Sequence, residues 1–155
     1  MALRDILLNL VKNLLLEGPA AKTGLDGLIQ KLEASGQSIN TRLGGIANSA
    51  SNRSQLRHII GIERWGLARL GTLHGKPLVQ DEYDGYQPTE TGDWNDLRDQ
   101  FASTRAETIG LAHQLAQAGV AETATAQHNS FGELTFRGWI SYLISHANRE
   151  SKLIR

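Results

Sequence analysis

The sequence predicts an all-α protein: a four-helix bundle preceded by one extra helix at the N-terminus. Three observations predict it. Apolar residues recur at spacings of three and four over most of the chain. No segment alternates with period two, and the short β-branched runs lie inside helical patterns. Gly18–Pro19, Gly75–Lys76–Pro77 and Gly119 punctuate the periodic runs. With 155 residues the chain has the length of one domain and interior enough for a full hydrophobic core, so 1–155 is read as a single helical domain.

The leading helix is expected over 3–16, in "MALRDILLNLVKNLLLEG". Its apolar positions 3, 6, 7, 10, 11 and 14 hold to one face, widened by Leu8, Leu15 and Leu16. Arg4, Asp5, Asn9, Lys12 and Asn13 interrupt it too often for a membrane span. Asp5 and the lack of a small-residue cleavage site disfavour a secretory signal. A face so wide calls for cover from the rest of the domain or from a second subunit, which makes a homodimer through this helix a partner expectation and a membrane not one.

Gly18 and Pro19 are read as the stop of that helix. Leu25, Leu28, Leu32, Ile39, Leu43 and Ile46 then mark a helix over 23–47 that tolerates Gly36, with a break at "ASGQS" as the competing reading. "NSASNRSQ" is a loop in which Asn52 and Gln55 resemble a capping box. Leu56, Ile59, Ile60, Glu63, Leu67 and Leu70 mark the next helix, over 53–73. Residues 74–92 hold Pro77 and Pro88 and no sustained period, so they form a long connection. Trp94, Leu97, Phe101, Thr104, Thr108, Leu111 and Leu115 hold an a/d pattern over 93–118, with Asp93 as N-cap and Gly119 as the stop. After a polar stretch, Ser130 and Glu133 form a second capping-box signature, and the last helix is expected over 131–155.

The bulk composition excludes several function classes. Sixteen basic and sixteen acidic side chains cancel. This argues against a nucleic-acid partner, whose binding rests on a cationic surface that neutralises phosphates. The absence of cysteine removes disulfides, zinc ribbons and a thiol nucleophile, and fits a cytoplasmic protein.

Five histidines remain as candidates for chemistry. His74 at a helix end, His113 off the Leu111/Leu115 stripe and His128 in a polar stretch read as solvated side chains. His58 is followed by two isoleucines in "LRHIIGIERW", and "HANRE" sets His146 and Glu150 four apart on a face otherwise made of Trp139, Tyr142, Leu143 and Leu153. Residues four apart on a helix have Cβ atoms about 6 Å from each other, so an imidazole and a carboxylate can converge on one cation. The competing reading is a His146–Glu150 hydrogen bond at a partly wet surface, and the pair alone favours it. A third ligand from another helix would complete a facial site with open positions. In a simple up-down-up-down bundle His58 and His146 would miss by roughly 15 Å. Up-down-down-up order brings them together, and needs a long crossover between the second and third bundle helices. Residues 74–92 supply one, since nineteen residues can extend about 60 Å against the ~30 Å of a twenty-residue helix.

"LRHIIGIERW" and "LTFRGWISYLISHANRESKLIR" resemble the two signature segments of the DinB/YfiT-like superfamily of small bacterial bundle proteins. The family pattern is a histidine opening the second bundle helix with an acidic residue five later, met here by His58 and Glu63. Its last helix carries a tryptophan, then His-x-x-x-His, then a polar stretch ending near Ile-Arg; Trp139, His146 and the terminal "LIR" fit. The resemblance covers roughly 23–155 and leaves the leading helix outside. It implies a four-helix bundle in up-down-down-up order and a divalent metal, often nickel or zinc, held by three histidines. It also implies thiol-dependent transferase or related metal-dependent chemistry, with a thiol cofactor in some relatives. Glu150 stands where the third histidine is usual. Two histidines and a glutamate suit zinc or non-haem iron, so His58, His146 and Glu150 are the expected ligands. The alternative is that the metal has been lost, leaving a non-catalytic binding or scaffold domain with Glu150 paired to His146 or Arg149. Glu63, about 140° around the helix from His58, reads as a salt-bridge or packing residue.

Overall fold

The periodic apolar runs are helices in a computed structural model that describes residues 2–155. The protein is mostly helical, with one small two-stranded sheet.

The leading run forms α1 (Leu3–Lys12), but Gly18–Pro19 does not stop it. A π turn over Asn13–Glu17 leads straight into α2 (Gly18–Thr23), with Pro19 in the first turn of the new segment. A proline there removes only an N–H that has no intrahelical acceptor, and the wider turn absorbs the change of register. The chain breaks instead at Gly24, whose φ of 76° a residue with a Cβ rarely adopts.

Next comes α3 (Leu25–Leu43), unbroken through Gly36. The glycine is there for space: a Cβ on Gly36 would lie 2.7 Å from Cγ of Arg105. Helix α4 (Ala50–Gly71) begins earlier than expected because Ser49, not Asn52, caps it by accepting from the Asn52 N–H. The long connection carries a 3₁₀ turn over Tyr83–Tyr86 that packs on α4, close against Gly61. Helix α5 (Trp94–Gln117) has Asp93 as its cap, as expected, accepting from the Asp96 N–H at 2.8 Å.

Strands were not expected, yet β1 (Thr125–His128) and β2 (Gly132–Thr135) pair antiparallel. The three residues between them are followed by Gly132 at φ 68°, the left-handed position that such hairpins place after a three-residue loop. Ser130–Glu133 is therefore hairpin rather than a capping box. Helix α6 (Phe136–Ser151) starts five residues later than expected. Thr135 caps it, accepting from the Gly138 N–H and donating to the Glu17 carboxylate at 2.5 Å. It ends at Ser151, and the buried Ile154 and the Arg155 backbone turn back onto Arg42 and Asn52.

Helix α3 packs on α5 and α6, and α4 packs on the same two. Along α4 and α6 the pairs Asn52–Arg155, Gln55–Glu150 and His58–His146 run in opposite directions. Along α3 and α6, Ser35–Asn148 and Arg42–Ile154 run in the same direction. Two apolar clusters fill the interior, one around Trp65, Trp139 and Leu143, the other around Leu43, Leu56 and Phe101. Arg105 bridges them, donating to the Leu32 carbonyl and lying over the Phe101 ring. No helix among the described residues is long and apolar enough to cross a membrane.

Candidate functional site

The antiparallel pairing of α4 with α6 brings His58 and His146 face to face, with Nε2 to Nε2 at 3.2 Å. His146 is buried and His58 half-buried under the ring of Tyr83, whose edge-on contact has a centroid distance of 5.0 Å. The contact is a hydrogen bond whose donor is set by the tautomers, so the two nitrogens face each other. Burial, reinforced by His58 beside it, pushes the His146 pKa down to about 4, so it is neutral at pH 7. A neutral imidazole nitrogen is the form that ligates a cation.

Glu150 is one turn beyond His146, but its carboxylate is engaged elsewhere. Oε2 accepts from Gln55 Nε2 and Oε1 from Arg149 Nε, each at 2.9 Å. Burial pushes this carboxyl up, yet the hydrogen bonds from Arg149 and Gln55 outweigh it and hold the pKa below the ordinary value. Gln55, read from the sequence as half of a capping box, is a partner of this carboxylate instead. Among the described residues no three His, Cys, Asp or Glu side chains converge as a metal site. The structure therefore joins His58 with His146 and places Glu150 alongside, turned to its own partners.

His128 was expected to be solvated, and it is 6% exposed. It ends β1, where the hairpin turns it inward among Trp65, Phe131, Trp139 and Tyr142, all with ring centroids within 5.2 Å. The backbone N–H groups of Ser130 and Phe131 both donate to its Nδ1. The proton must then sit on Nε2, which is buried and has no hydrogen-bond partner. Burial and the nearby Arg69 charge push the pKa down to about 4, so this ring too is neutral. The signal that could have found it is the turn glycine Gly132 behind "HNSF", flanked by Thr125 and Thr135 on short segments.

His128 and His146 line one cleft of about 480 Å³ between the end of the leading helix, the hairpin and α6. Leu15, Leu16 and Phe131 form its apolar wall, with Arg149 also lining it. Tyr142 lines it between the two histidines, and burial lifts its phenol to about 12, so the hydroxyl stays a donor.

Among known families, the model described as the DinB superfamily matches residues 4–150. The match starts inside α1, so the leading helix, set outside the resemblance on the residues alone, falls within it. No curated protein and no solved structure matches the chain.

Proposed function

The chain belongs to the DinB superfamily, and from that premise we propose that it is a divalent-metal-dependent enzyme built on a four-helix bundle, with His58, His146 and Glu150 as metal ligands. The opposed run of α4 and α6 and the shared direction of α3 and α6 support an up-down-down-up order for the bundle. The observation that carries the site is the 3.2 Å between the two Nε2 atoms. Two imidazole nitrogens bound to one tetrahedral zinc at about 2.0–2.1 Å stand roughly 3.3 Å apart, so the pair already has the spacing of two ligands. Glu150 fits by type, being ionised and one helical turn away, and would have to leave Gln55 or Arg149. Nickel, zinc or iron bound there would polarise a substrate oxygen or activate a water or a thiolate, which covers the transferase and hydrolase chemistries expected of a thiol-dependent or hydrolytic relative.

The test is elemental analysis of untagged, unchelated protein beside His58→Ala and Glu150→Ala. Near-stoichiometric nickel, zinc or iron in wild type, lost in both variants, is the expected result. Protein that stays metal-free after incubation with those ions overturns the reading. One observation favours a second reading, in which the domain is a non-catalytic binder or scaffold: both Glu150 oxygens are already satisfied. Under it, His58→Ala and Glu150→Ala leave metal content at background.

The partner proposed for the leading helix is a second copy of the chain. Leu3, Ile6, Leu7, Leu10 and Leu14 are each 51% or more exposed and form a stripe without a charge. Together they expose on the order of 500 Å², near the largest patch of a typical monomer. Two copies would bury on the order of 1,000 Å², the threshold for a specific interface. Light scattering is expected to give a dimer mass that Leu7→Glu/Leu10→Glu reduces to a monomer; a monomeric wild type at micromolar concentration overturns it. Deleting the helix is a poorer probe, because Glu17 holds Thr135 at the start of α6.

A further inference from the structure

The leading helix presents more than an apolar face. Leu3, Leu7, Leu10 and Leu14 follow one another at steps of four, three and four, the a/d spacing of a two-helix seam. All four are exposed, and no residue of α1 is buried. Ten residues are too few to hold a helix in water unaided, so the seam calls for a second helix. The chain's own bundle does not supply it. Leu16 and Ala20 are buried in the bundle core, and Lys12 donates to the Glu133 carbonyl. Lys12 stands about 200° around the helix from Leu10, so the bundle lies behind the seam and leaves it open to a second copy.

The seam adjoins the cleft. Half-buried Val11 and exposed Leu15 stand in the row next to Leu10 and Leu14, and both line the cleft that His146 also lines. In the heptad Val11 takes the e position, and exposed Ile6 takes the g position. Two parallel copies set g against e, so Ile6 of each packs on Val11 of the other. Two antiparallel copies set e against e and g against g, which puts Arg4 on Val11 and Ile6 on Asn13. Helix dipoles favour the antiparallel pair, but their effect at exposed ends is small and screened by salt. Removing two isoleucine–valine pairs from water outweighs it.

We propose that the leading helices of two copies pair in parallel, so that the partner's Ile6 packs on Val11 and extends the wall of the cleft beside His146. Each subunit then completes the cleft of the other. This arrangement rests on the dimer reading, and gives it a direction and a consequence for the site. The two stripes would bury about 1,000 Å², where specific interfaces begin.

The chain has no cysteine, so introduced ones report without background. Light scattering of wild type tests the dimer itself, and a monomer at micromolar concentration removes both the dimer and this arrangement. Given a dimer, Leu10→Cys is expected to form a covalent dimer on mild oxidation, because equivalent d positions meet only in the parallel pair. Ile6→Cys mixed with Val11→Cys should give the mixed disulfide in preference to either homodimer. Within one chain these two positions stand about 140° apart and cannot join. Maleimide labelling of Val11→Cys reads the cleft wall. At about ten times the dimer dissociation constant, about a fifth of the chains are monomers, so labelling should slow about fivefold. Adding Leu7→Glu/Leu10→Glu should restore the fast rate. A light-scattering dimer in which Leu10→Cys joins Leu7→Cys rather than itself overturns the proposal and leaves the dimer reading standing. So does an equal labelling rate of Val11→Cys in dimer and monomer.

Discussion

Helix α4 carries two polar intrusions five residues apart, and they are built in opposite ways. Glu63 is 1% exposed and wholly satisfied. Its Oε1 accepts from Arg105 Nε at 2.5 Å and from Thr108 at 3.0 Å, and its Oε2 accepts from Arg105 Nη2 at 2.9 Å. The remaining Arg105 nitrogen reaches the Leu32 carbonyl and Ser35. Among the described residues the His58 ring hydrogen-bonds only to another imidazole, and nearby His128 leaves its proton without an acceptor. Complete networks hold an interior in one arrangement, because removing any member strands a charge. Incomplete ones hold donors and lone pairs ready for something that the chain does not supply. The comparison separates the part of α4 that keeps the bundle together from the part proposed to act.

The sharpest way to break that comparison is to cut the complete network. Arg105→Met leaves the Glu63 carboxylate buried and unpaired, and is expected to cost about 3–5 kcal/mol, a fall in Tm of roughly 10 °C or more for a domain of this size. His58→Ala should cost only about 1 kcal/mol, one hydrogen bond at a half-buried position. Urea unfolding of the two variants checks the contrast. Similar losses, or a larger one for His58→Ala, would show that the two sites do not differ in kind.

A smaller effect comes from pH, which acts on the incomplete site. His128 falls from the ordinary 6.5 to about 4 through burial and the Arg69 charge. The unfolded chain therefore binds a proton in this window that the folded chain refuses. Stability is fully present above about pH 6.5 and drains away as pH falls toward 4, by about 3 kcal/mol from this residue. His146 contributes in the same direction. In His128→Phe the dependence should shrink but not vanish, and urea unfolding at pH 7 and near pH 4.5 measures the difference. Parallel curves for wild type and variant would mean that His128 is wetter than its packing indicates.

What the residues revealed beforehand follows the same division. Long apolar periods made the bundle helices legible, and even Glu63 as a salt-bridge residue, because helical phase alone put it 140° from His58. Local punctuation was less legible. Pro19 looked like a stop, and only the π turn shows how a helix passes through it. The hairpin was hidden because Ala126, His128 and Leu134 are its only buried positions, too few to display a period of two. That one miss removed His128 from view and with it half of the cleft. His58 and His146 were legible as a pair because topology and loop length pointed to the same meeting. The partners of Glu150 were not, since Gln55 reaches it across ninety-five residues of sequence.

Glu150 stands on the border of the two classes, and the smallest prediction concerns it. Its carboxylate is satisfied like Glu63, yet it lies beside the open histidine pair and its partners are replaceable. Gln55→Ala removes the donor to Oε2 without touching His58, His146 or Glu150 itself. If Glu150 is a ligand, the freed oxygen no longer has a competing partner, and calorimetric affinity for zinc should rise by about two- to fivefold, a fraction of one neutral hydrogen bond. Global stability should fall by about 0.5–1 kcal/mol in either case, because the same bond also ties α4 to α6. If affinity is unchanged while stability drops, Glu150 belongs with Glu63 as a structural carboxylate. The open site would then consist of the His58–His146 pair alone, two ligands short of a closed tetrahedral sphere.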